Sequence, residues 1–73
     1  MAADPLARVA ERYGASADEL ERAAKHLRIA AEHFRNREVP RGCAHALAVY
    51  GHMRVVQRQL DEHAELHRTK AQV

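Results

Sequence analysis

AHALAVYGHMRVVQRQLDEHAELH, residues 44–67, is the stretch whose reading decides the fold. At about 100° per residue, His45, Val49, His52, Val56, Leu60 and His63 fall on one face of a helix. Ala48, Val55, Gln59 and His67 flank that face, while Arg54, Arg58, Asp61 and Glu65 lie opposite. The period is helical, so the segment reads as an amphipathic helix. Its inward stripe is unusual, because imidazoles and an amide stand where leucine is expected. The helix starts at Pro40, whose missing N–H costs nothing in a first turn, and runs over 40–69. Gln72 and Val73 are expected to fray.

Upstream, Pro40 disfavours helical geometry at Val39, which places a break there. Before the break, Leu20, Ala23, Ala24, Leu27, Ala30, Ala31 and Phe34 recur at bundle spacing. Ser16 followed by Glu19 has the form of a capping box, which predicts a second helix over 17–37. Its apolar sector is wide, as for a helix with more than one neighbour. A first, short helix is expected over 5–13, with Asp4 as its cap, Pro5 in its first turn and Gly14 as its end. Leu47 and Tyr50, on the polar side of the last helix, mark a docking place for it or a further subunit contact.

The connection around residue 39 is short, so the two long helices form an antiparallel hairpin. Folding the chain there sets His33 opposite His45, His26 opposite His52, and Glu19 opposite Gln59. Three polar rungs then line the seam at seven-residue intervals. Neutral imidazoles on facing helices supply nitrogens to Zn, Cu or Ni, or clamp a haem iron from both sides. His26, His33, His45 and His52 are the candidate ligands, with Glu19, Gln59 and Cys43 as candidate supporting groups around them. The commoner role for such histidines is structural: they bond one another or a carboxylate and fix register. Paired imidazoles also make a pH-responsive contact, because ordinary imidazoles protonate around pH 6. His63 and His67, near the far end, read as surface or dimer contacts.

Arg35, Arg37 and Arg41 gather at the turn and form a candidate phosphate or nucleic-acid contact. Glu32 and Glu38 are interspersed with them, and no aromatic platform accompanies them. The formal charge of +2 is too small to argue for nucleic acid by itself. Only one cysteine, Cys43, is present, so no disulfide forms within the chain. No serine or acidic group is placed to activate it as a nucleophile. No signal peptide and no spanning apolar run is visible, so a cytoplasmic location is expected.

With 73 residues, three aromatic side chains and no tryptophan, the core must be built from Leu, Val, Ala and imidazole rings. A domain of this size buries only about 60% of its unfolded surface, so a second subunit is expected. The sequence therefore predicts an all-α chain: a short N-terminal helix and a long antiparallel hairpin, dimerising into a four-helix-bundle-like core. The function read from it is a small, non-enzymatic binding or assembly protein with a histidine-lined seam. The alternatives are a purely structural interaction module and, third, a phosphate or nucleic-acid binder using the turn arginines.

Overall fold

The computed structural model describes residues 5–71, with side chains described over 5–65. Two antiparallel helices, α1 (Pro5–Arg35) and α2 (Val39–Ala71), account for nearly all of it. No strand occurs among the described residues. The hairpin is a slab with principal extents of 55 × 25 × 13 Å. Its radius of gyration is 17.0 Å, against about 11 Å for a compact domain of this length.

The expected break between a first and a second helix does not exist. Gly14 keeps a helical backbone, since no glycine has positive φ, and α1 runs through it. Glycine within a helix costs about 1 kcal/mol, and contacts on either side offset this. Tyr13 stacks on His63 with ring centroids 4.4 Å apart. Ser16 Oγ donates to Gln59 Oε1 at 2.6 Å. The capping box is overturned by the same contact: Ser16 is buried in mid-helix and serves the partner helix rather than its own N-terminus. The proposed cap Asp4 lies outside the described residues. With no separate short helix to receive, Leu47 and Tyr50 stand exposed.

α1 ends two residues earlier than its expected limit, in a Schellman turn. Arg37 takes the left-handed conformation with φ 61°. The Arg37 N–H donates to the Phe34 carbonyl at 3.0 Å, and the Glu38 N–H donates to the His33 carbonyl at 2.8 Å. This is the paired 5→2 and 6→1 pattern that satisfies the last carbonyls of a helix. The Gly42 N–H donates to the Glu38 carbonyl at 3.0 Å, so Glu38 caps α2. Val39 and Pro40 then occupy the first turn, where proline removes no hydrogen bond.

The packing rows follow from seven-residue spacing. On α1, Val9, Ser16, Ala23 and Ala30 turn toward α2, and on α2 the matching row is Gly42, Val49, Val56 and His63. Beside this row runs a polar one: Glu19, His26 and His33 on α1, with His45, His52 and Gln59 on α2. Together these rows make the hairpin seam. Leu20, Leu27 and Phe34, which the sequence assigns to that seam, lie outside it and are 44%, 53% and 46% exposed. Small residues occupy the contact instead, and no large side chain is fully buried among the described residues.

Candidate functional site: an imidazole ladder beside a charge-free face

The expected pairings of His33 with His45 and of His26 with His52 are present as ring stacks. Their centroids are 5.2 Å and 5.1 Å apart, with interplanar angles of 18° and 25°. The third expected rung is replaced. Glu19 accepts from His52 Nδ1 at 2.8 Å, and Gln59 is bonded to Ser16. His26 and His45 meet as well, Nδ1 to Nδ1 at 3.1 Å. The rungs therefore form a zigzag in which each ring sits between two residues of the facing helix. Its order is Glu38, His33, His45, His26, His52, Glu19. The turn end is closed by a long His33 Nδ1···Glu38 Oε1 contact of 3.4 Å. At the other end Arg22 donates to Glu19 Oε1 at 2.6 Å. The hydrogen bond from His52, followed by the charge of Arg22, holds the Glu19 carboxyl below its ordinary value, against the opposing effect of burial.

This arrangement engages the Nδ1 atom of each of the four histidines internally. The His26 and His45 centroids are 5.4 Å apart, roughly the nitrogen separation plus the two ring radii, so the rings point head-on at each other. That is the geometry of an N–H···N bond, in which one Nδ1 carries the proton and the other accepts it. A chelated metal needs both lone pairs to converge on a third point. Among the described residues no group of three or more His, Cys, Asp or Glu side chains is arranged to hold a metal ion. The four histidines proposed from sequence as a ligand set for Zn, Cu or Ni are brought together, but as a string rather than a shell. Cys43 is exposed; two residues from His45 is about 200° around the helix, so it points away from the ladder.

His63 departs furthest from expectation. It is only 3% exposed, beneath Tyr13, instead of lying at a surface. The His67 side chain lies outside the described residues. A small open groove of about 210 Å³ beside His63 is lined by Arg12, Ala15, Gln59 and Glu62. That is below the volume of about 300–1,000 Å³ usual for small-molecule sites. At the turn, Arg35 pairs with Glu32 at 3.0 Å and Arg41 with Glu38 at 2.9 Å. Arg37 is the residue that carries the left-handed turn. Two of the three arginines of the candidate phosphate contact are thus bonded to carboxylates.

Sequence reasoning expected α1 to have more than one neighbour but did not separate its apolar sector into the two distinct seams that the structure shows. Moving every hairpin-seam position on by one residue gives Ala17, Leu20, Ala24, Leu27, Ala31 and Phe34 on α1. Leu6, Ala10 and Tyr13 extend it toward the N-terminus. On α2 the same shift gives Cys43, Ala46, Tyr50, Met53, Gln57, Leu60 and Ala64, with Val39 at the turn. Not one of these positions is charged, although 30% of the chain is Asp, Glu, Lys or Arg. The dyad that relates antiparallel helices passes through the faces of the hairpin. Rows at equal angular offset on α1 and α2 therefore emerge on the same face. The large side chains gather there, Met53 and Leu60 with Leu20, Leu27 and Phe34, and all are more than two-fifths exposed. The signal was in the sequence: His26 and His33 each directly precede a leucine or phenylalanine of this row.

No helix among the described residues is long and apolar enough to cross a membrane. No family model matches the chain, and comparison with curated proteins and with solved structures returns no match.

Proposed function

We propose that this chain is a non-enzymatic helical assembly module that works as a homodimer, two hairpins packing their charge-free faces into a four-helix bundle. The second seam carries this reading. A shift of one residue turns a seam by about 100° around a helix, close to the right angle between the two neighbours of each helix in a square bundle. Each helix thus has one seam for its partner in the hairpin and another for a helix outside it. The face measures about 55 by 25 Å, ample for the roughly 800 Å² per partner that standard interfaces bury. A face without charge has nothing with which to select an oppositely charged partner. Its alternation of alanine with large apolar side chains suits a copy of itself. In this reading the imidazole ladder is the register device of the hairpin: a string of polar pairs that is satisfied in one alignment only.

Charges placed in the face test the proposal. Leu20→Glu with Leu27→Glu would bury unpaired carboxylates, so self-association should weaken by about a hundredfold or more. Glu21→Lys with Arg28→Glu, on the outer face of α1, should leave association within about threefold. Light scattering after size exclusion reads both. Equal behaviour of the two double variants would sink the assembly reading.

A further inference from the structure

Arg12, Gln59, Glu62 and His63 line the small groove at the open end of the hairpin. We propose that this groove binds a small oxyanion that still carries an O–H group, such as hydrogen phosphate or hydrogen carbonate. Arg12 lies one heptad beyond Glu19 in the polar row, on the far side of the hairpin from the charge-free face. Packing of two copies through that face leaves the groove open.

Groups in the groove lack the partners that their counterparts elsewhere have. His63 is only 3% exposed, and its ring is stacked on Tyr13, but it makes no hydrogen bond among the described residues. No buried side-chain nitrogen or oxygen among the described residues is left without a partner. The His63 nitrogens are therefore not sealed in; they open onto the groove that the ring lines. Gln59 engages its carbonyl oxygen with Ser16, and its amide N–H groups have no acceptor among the described residues. Arg22, Arg35 and Arg41 each reach a glutamate three positions away. Residues 8, 9, 15 and 16, three and four positions from Arg12, include no acid. Arg12 accordingly pairs with no carboxylate among the described residues, Glu62 included. A cation on α1 and an anion on α2 thus line one groove without meeting.

These groups specify the ligand. A guanidinium and a side-chain amide offer several N–H donors, and the guanidinium adds charge to its hydrogen bonds. An imidazole, when neutral, offers one N–H and one lone pair, and an ionised Glu62 only accepts. A cation would leave the Arg12 and Gln59 donors unanswered. Sulfate would set a bare oxygen against the Glu62 carboxylate, two acceptors with no hydrogen between them. An oxyanion that keeps an O–H satisfies both sides. Its charged oxygens accept from Arg12 and Gln59, and its hydroxyl donates to Glu62 or His63. A groove of about 210 Å³ admits an ion of a few atoms, although it is below the size usual for larger ligands.

NMR titration of the isotope-labelled protein, at neutral pH and fixed ionic strength, tests this with inorganic phosphate, hydrogen carbonate and sulfate. Phosphate or hydrogen carbonate should shift the His63 ring and Gln59 amide signals saturably, and sulfate should not. Arg12→Gln, at an exposed position, should weaken binding by about tenfold or more. Glu62→Gln replaces an acceptor by an amide that also donates, so it should admit sulfate. Absence of a saturable shift with both protonated anions would overturn the proposal. So would an equal response of the wild type to sulfate, wild-type affinity in Arg12→Gln, or continued exclusion of sulfate by Glu62→Gln.

Discussion

Ser16 and Gln59, 43 residues apart in the chain, are joined by a hydroxyl-to-amide hydrogen bond of 2.6 Å. This contact registers the open end of the hairpin, and it also shows that Ser16 is no helix cap. Losing a bond of this kind costs about 1 kcal/mol. Ser16→Ala and Gln59→Leu should each destabilise the protein by about that much. Combined, they should cost clearly less than their sum, a coupling of about 0.5–1 kcal/mol in urea melts. A capping role for Ser16 would instead make the two substitutions additive.

Glu19 sets the behaviour in acid. Its carboxyl is held below the ordinary value by the hydrogen bond from His52 and by Arg22. A carboxylate with a depressed folded-state pKa stabilises the fold above its unfolded value and loses that contribution as the pH falls through the folded value. The relevant window therefore lies at and below the ordinary carboxylate range. Between about pH 5 and about pH 3 the wild type should lose more stability than Glu19→Gln. Parallel pH profiles for the two proteins would refute this role of the carboxylate.

Gly42 is required by Phe34. A Cβ at Gly42 would come within 2.6 Å of the Phe34 ring, so Gly42→Ala must displace that ring from its place over residue 42. Alanine is otherwise the better helix former by about 1 kcal/mol. Gly42→Ala should therefore destabilise the wild type and stabilise a Phe34→Ala protein. The opposite sign in thermal melts of each background is the result to look for; the same sign in both would contradict the contact.

The ladder should be indifferent to chelation. Its Nδ1 atoms face one another or carboxylates, so protein treated exhaustively with a chelator should melt at the same temperature as untreated protein. A loss of several degrees on chelation would show that a bound metal contributes to folding.

Much of this was legible in the chain. The hairpin, its turn, and the stacking of His33 on His45 and His26 on His52 follow from period and symmetry about residue 39. The zigzag that adds the His26–His45 bond does not, because a stagger of half a heptad depends on the geometry of the Schellman turn. Gly14 and the Ser16–Glu19 pair pointed to a helix boundary by local chemistry. Tertiary contacts from Tyr13 and Ser16 to α2 overrode it. The large apolar residues were visible, but their period alone could not say which of two adjacent seams faces the hairpin. The small side chains of Ala23 and Ala30, buried against α2, decide that, since they allow the helices to approach closely.

The central claim is that the charge-free face is covered by a second copy of the chain. Sedimentation equilibrium of the untagged wild-type protein, over a concentration series at neutral pH, tests it most directly. The account predicts a limiting mass of twice 8.3 kDa, with folding and dimerisation lost together on dilution. A mass of 8.3 kDa at every concentration, from a chain that stays helical and melts cooperatively, would contradict it.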